Sequence, residues 1–192
     1  AATEGVFRNL YEFDNAFSAV VDADTLRPLR SKLRRVIDGD EQLTHMRYEG
    51  RVVDVVNQEH GKEKRWTKSI EGGTSDAISW ILWLQGLDLA VGETATIPLY
   101  TGVNHMRLTA TAQAWESVTV PAGTYRTLRI HCDLHKWSPD PPLPAGQATE
   151  YQPRKMDEVD IWVADDAYRT PVKLRINFRI IGDVVANLVR RR

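Results

Sequence analysis

From Val172 to Ile180 the chain alternates without a break: Val172, Leu174, Ile176, Phe178 and Ile180 are apolar, while Lys173, Arg175, Asn177 and Arg179 fill the gaps. Side chains of an extended strand point alternately to opposite faces, so this run specifies a strand with one apolar and one basic side. Upstream, Ile161-Trp162-Val163 reads as its partner, joined through a turn at Ala164-Asp165-Asp166-Ala167, because aspartates satisfy turn amides locally. Downstream, Gly182-Asp183 punctuates the chain before Val184 to Val189. These three segments form an antiparallel meander, and the rest of the chain must supply something to cover its apolar side.

The remaining sequence continues in the same style. At 192 residues, residues 1–192 make a single mostly-β domain, large enough to bury a core without disulfides or metals. Leu10 to Phe13 and Ala16 to Val21 read as short strands about a turn at Asp14-Asn15, and Pro28 ends the connection that follows. Leu29, Ser31, Leu33, Arg35 and Ile37 alternate as a strand would, although Leu29, Leu33 and Val36 also suit a helix. Strands follow at Leu43 to Tyr48, Arg51 to Val56 and Lys64 to Lys68, then at Glu93 to Tyr100, His105 to Val120 and Tyr125 to Leu134. Between the two groups, Ile78, Ile81, Leu82 and Leu84 return at helical spacing behind a cap at Thr74 or Ser75, which predicts a helix over residues 75–85 closed by Gly86. Residues 138–153 hold five prolines and read as a surface loop.

Composition excludes several classes. The longest apolar run, Ala77 to Leu84, is far short of the roughly 20 residues that a bilayer-spanning helix needs, so a soluble chain without a transmembrane segment is expected. A net charge of −1 argues against a nucleic-acid partner. The basic clusters Arg27, Arg30, Lys32, Arg34, Arg35 and Arg190 to Arg192 read as a solvated strand face and a tail. Cys132 stands alone among Leu128, Ile130 and Leu134, as a small buried hydrophobe.

Motifs for nucleophiles, phosphate loops and dinucleotide cofactors are missing, so the chain reads as non-catalytic, with no cofactor. Asp165 and Asp166 could act as acid and base if a pocket held them together, but adjacent carboxylates in a turn usually point apart. His131 and His135 lie too far apart on a strand to share a metal, and no metal site is assigned. Two features remain. Leu108, Ala110, Ala112 and Ala114 fall on one face of a strand, where a row of alanines leaves space, and Trp80, Trp83, Trp115 and Trp162 sit in segments expected to converge there. Ordinary core packing accounts for both; an aromatic and alanine-lined cavity for an apolar ligand is the sharper reading.

Four stretches, taken in order, resemble the bacterial envelope family catalogued as domain of unknown function 3108. They are Asp22-Ala-Asp-Thr-Leu-Arg-Pro28; Asp76-Ala-Ile-Ser79 with Leu84, Leu89 and Gly92; Val118-Thr-Val-Pro-Ala-Gly-Thr-Tyr125; and Ile161-Trp-Val-Ala-Asp-Asp166 with Arg169, Pro171 and Leu188. The resemblance implies a curved antiparallel sheet or half-barrel, like that of lipoprotein carriers, packed on one short helix. It also implies a periplasmic or outer-membrane-associated location, although no signal peptide is present in this chain, and it implies no activity. Gln85 stands where the family usually has arginine. The family also tends to begin with a further pair of strands, which suggests that a separate chain, or a portion preceding this one, supplies them to an open sheet edge.

Two non-catalytic functions follow as expectations, beside a third, hydrolysis at Asp165 and Asp166. One is a cell-envelope protein that holds a lipid chain or other apolar molecule against a curved sheet, lined by Trp80, Trp83, Ala110, Ala112, Ala114, Trp115 and Trp162. The other is an interaction module that docks an envelope protein or an acidic polysaccharide through an open edge and the basic face of Lys173, Arg175 and Arg179.

Overall fold

The computed structural model describes residues 13–37, 39–136, 154–178 and 182–190. Among them the chain forms β1 (Phe13–Val21), β2 (Pro28–Ile37), β3 (Asp40–Glu49), β4 (Val52–Glu59), β5 (Lys62–Ser69), α1 (Trp80–Gln85), β6 (Thr94–Tyr100), β7 (His105–Val120), β8 (Gly123–Lys136), β9 (Arg154–Ala164), β10 (Pro171–Phe178) and β11 (Gly182–Asn187). The protein is mainly β and antiparallel with one short helix, as the alternation required. Its strands make two sheets, β1-β2-β3-β4-β5 and β11-β10-β9-β8-β7-β6, and neither closes into a barrel. By backbone packing the chain divides into two compact units, Ala1–Trp80 with Tyr100–Val103, and Ile81–Leu99 with Asn104–Arg192.

In the first unit, each strand pairs only with its sequence neighbours, because short connections join them all. Met46, Tyr48, Val53, Val55, Ile70 and Tyr100 form its core, with Phe17 and Trp66 against them. The Trp66 indole donates to the Tyr100 hydroxyl, which in turn donates to the Gly102 carbonyl. Gly102 has φ +90°, and a side chain there would press within 3.2 Å of Met46 Sδ and 3.3 Å of Thr44 Cγ2, so only glycine fits. The turn expected at Asp14-Asn15 is absent: both residues pair across to β2, opposite Val36 and Arg35, and β1 runs through them. Cross-strand partners outweigh local turn preference there.

The helix is shorter than its apolar spacing predicts. Ser75 is drawn into extended structure, where its carbonyl accepts from the Tyr100 amide. Asp76, not Thr74 or Ser75, supplies the cap: its Oδ1 accepts from the amides of Ile78 and Ser79 at 2.9 and 2.7 Å. Only Trp80–Gln85 is helical.

In the second unit the expected meander is present in the order β9-β10-β11. One face of this sheet is a dry core: Leu108, Ala110, Ala112, Leu128, Ile130, Cys132, Val159, Ile161 and Val163 are all buried. Each fully buried aliphatic side chain there contributes roughly 1.5–3 kcal/mol. At one end of the sheet Val120, Ala164 and Val172 form a smaller cluster with Val118, Tyr125 and Leu188, and Leu188 donates its amide to Val172 and accepts from Ala122.

The alanine row does not stay on one face. The β7–β8 register skips between Ala112 and Ala114, so that Ala112 faces Ile130 while Ala114 faces Arg129, the very next residue on β8. The extra residue, Gln113, is a β-bulge, and it sends Ala114 to the polar side and Trp115 to the side of Ala112. The strict alternation read from the sequence fails at that point for this reason. The prolines of residues 138–153 lie outside the described residues.

Candidate binding surfaces

Two polar surfaces stand out, one on each sheet. On the second sheet, Arg129, His131 and Asp133 of β8 share a face with Glu158, Asp160 and Trp162 of β9 and with Lys173 and Arg175 of β10. The register puts His131 opposite Asp160, and Asp160 opposite Arg175. Asp160 is 4% exposed. Its Oδ2 is held by Arg129 at 3.1 Å and by Arg175, and its Oδ1 faces His131 Nδ1 at 3.0 Å. Burial alone would raise the pKa of this carboxyl and is the strongest single influence on it. The donors His131, Arg129 and Arg175 together outweigh that effect and hold it below the ordinary carboxylate value.

An ionised carboxylate can only accept, so the His131 ring presents Nδ1–H to Asp160 and turns Nε2 toward Asp133, 3.6 Å away. His131, Asp133 and Glu158 place three donor atoms within 4.8 Å of one another, a set that excludes His135. Arg129 and Arg175 offset the charge of Asp160, which leaves Asp133 and Glu158 as the carboxylates facing Nε2.

Beside this network, Trp162 is clasped on both sides: the Arg129 guanidinium lies 5.6 Å from its ring centre and the Lys173 ammonium 4.7 Å, while its indole N–H donates to Glu116. Lys173 and Arg175, read from the sequence as a basic face, are thus engaged with Trp162 and Asp160. Arg179 lies outside the described residues. Of the proposed ligand-lining residues, Ala110 and Ala112 are buried on the opposite face from Trp162 and Ala114. Trp115 is 43% exposed under Arg126, 4.6 Å from its ring centre. Trp80 is buried in the first unit, its indole donating to the Ala77 carbonyl, and Trp83 is half-buried on the helix in the second. The structure does not bring these seven residues onto one surface.

The two turn aspartates have separate partners. Asp165 takes a 2.5 Å ion pair from Arg126, and Asp166 Oδ1 accepts from the amides of Tyr168 and Thr170. The Arg169 guanidinium reaches Asp88, and the Arg169 amide donates to the Asp166 carbonyl. Gln85 donates to the carbonyls of Tyr168 and Arg169, which ties the helix end to this turn.

On the first sheet, the solvent face of β1–β5 carries two parallel rows. One row is Ser18, Lys32, His45, Val56 and Arg65; the other is Val20, Arg30, Arg47, Asp54 and Thr67. Arg30 sits directly opposite Arg47, and Lys32 directly opposite His45. These side chains, Thr67 apart, line a groove of about 430 Å³. Glu49 pairs with Arg47, and Glu63 with Arg65, from the rim. Arg30 and Lys32 have no ion-pair partner among the described residues. Asp54, the one acid in the lining, accepts from the Thr67 hydroxyl. In sequence Arg30, Lys32 and Arg34 read as a solvated strand face; His45, Arg47 and Arg65 join this face only through the register.

A family model described as a protein of unknown function (DUF3108) matches residues 1–189. The chain belongs to this family. Membership agrees with the four stretches that carried the resemblance, and the DUF3108 description assigns no activity. No curated protein and no solved structure matches the chain.

Proposed function

We propose that this DUF3108 protein works by binding, and that its ligand is an anion held on the basic face of β1–β5. The observation that carries this reading is the cross-strand pairing of like charges, Arg30 against Arg47, with Lys32 beside them on β2, over an open groove. Like charges directly opposite each other in a sheet are destabilising, and Arg30 and Lys32, which have no ion-pair partner among the described residues, favour an external counter-ion. The envelope location expected from the family resemblance is part of this proposal. A hydrophobic ligand on the second sheet has less support, because Ala110 and Ala112 are 0% and 1% exposed and lie beneath the protein's own atoms. Exposed Val184 and Val185 on β11, an edge strand among the described residues, support a second reading in which a partner chain adds a strand there.

The test is calorimetric titration with inorganic pyrophosphate, polyphosphate and heparin-derived oligosaccharides at low and high salt. Binding by at least one of them is expected, weakened by salt and abolished by Arg30→Glu with Lys32→Glu. Failure of all three anions, or indifference to the double substitution, would overturn the reading.

A further inference from the structure

The groove on the first sheet also constrains what kind of anion it can take, an inference that rests on the anion-binding reading. Adjacent strands lie about 4.8 Å apart, so a lining that runs from β1 to β5 extends roughly 19 Å across the sheet. Positive side chains recur along that span, from Arg30 and Lys32 on β2 through Arg47 on β3 to Arg65 on β5. A single phosphate or carboxylate reaches at most a few of them; a chain with repeated negative charges reaches all.

The uncharged lining narrows the choice. Val20 and Val56 place apolar surface among the charges, and Ser18 adds a hydroxyl. Asp54 sits among the cations and offers an acceptor. A polyphosphate has no donors for Asp54 and is repelled by it, whereas sugar hydroxyls donate to a carboxylate and sugar C–H faces rest on valines. The lining has no Phe, Tyr or Trp, and His45 alone is a small platform for the stacking that single-stranded nucleic acid uses.

We infer that the ligand is an acidic polysaccharide laid across the strands of β1–β5, its anionic groups on Arg30, Lys32, Arg47 and Arg65 and its hydroxyls on Asp54.

The experiment compares heparin-derived oligosaccharides of increasing length with inorganic phosphate, inorganic polyphosphate and single-stranded DNA, using the full chain. Affinity is expected to rise with length until the oligosaccharide spans roughly 19 Å and then to level off. Arg30→Ala with Lys32→Ala should weaken the longest oligosaccharide about 10–100-fold. Asp54→Asn gives a readout that a merely structural role would not: it should weaken the oligosaccharide and tighten polyphosphate, with the folded signal in circular dichroism unchanged. If phosphate binds as tightly as the longest oligosaccharide, or polyphosphate or DNA outranks it, the anion reading survives and the polysaccharide inference falls. If none of them binds, both fall.

Discussion

His131 Nδ1 lies 3.0 Å from Asp160 Oδ1, and this contact joins β8 to the most deeply buried carboxylate of the polar face. Because the folded-state pKa of Asp160 is lowered, the group adds stability that is fully present above the ordinary carboxylate pKa of about 3.9. That contribution is lost as pH falls through the lower folded value. Asp160→Asn should therefore flatten the acid limb of a stability–pH profile while leaving its slope above pH 6 unchanged. At neutral pH it should cost about 1–3 kcal/mol, below the roughly 3–5 kcal/mol of a fully buried pair, since Arg129 and Arg175 keep part of their hydration. Urea midpoints measured between pH 2 and pH 7 check both parts, and an unchanged acid limb would refute the account.

The bulge at Gln113 separates two alanines that look equivalent in sequence. Ala112 is 1% exposed against Ile130, whereas Ala114 is exposed opposite Arg129. Ala112→Val should overpack the core and cost about 1–3 kcal/mol, while Ala114→Val should stay within about 0.5 kcal/mol of the parent. Thermal melts of the two variants side by side decide this, and equal penalties would mean that the row is continuous after all.

Strands and their faces were legible because alternation is local. Val172, Leu174 and Ile176 announce their strand, and the Asp165-Asp166 turn announces its hairpin. What joins distant strands was not legible. A hairpin closed over Ala164–Ala167 would set Asp160 against Pro171, and the observed register sets it against Arg175. Nothing in the residue types reports that offset, so the Asp160 network went unseen, although both charges were in view. The bulge at Gln113 was hidden for the same reason, since it needs no special residue. The basic groove was half visible: Arg30 and Lys32 stand out on β2, but a row of charge across a sheet becomes a site only once its neighbours on β3 and β5 are known.

Cys132 should be inert in the native protein. Burial chiefly, with the charges of Asp160 and Asp133 adding to it, pushes its thiol up to about 12, so almost no thiolate is present at neutral pH. A thiol reagent at pH 8 should fail to label it under native conditions and should label it fully in urea, with the amount labelled following the unfolding curve. Rapid native labelling would show that the β8 core opens locally.

Asp76 carries a cap on one oxygen only. Oδ1 accepts from two amides, whereas Oδ2 is buried and meets no donor among the described residues. Burial holds the Tyr48 hydroxyl well above its ordinary pKa, and the charge on Asp76 adds to that shift. The two roles of this residue can be separated by substitution. Asp76→Ala removes the acceptor and strands the Ile78 and Ser79 amides, which should cost about 1–2 kcal/mol. Asp76→Asn keeps an acceptor in the same place and removes the charge, so it should cost less than about 1 kcal/mol. Urea unfolding of both variants at pH 7 provides the comparison. If Asn proves as damaging as Ala, the charge and not the cap is what the segment before α1 needs, and a buried cationic partner must then be sought.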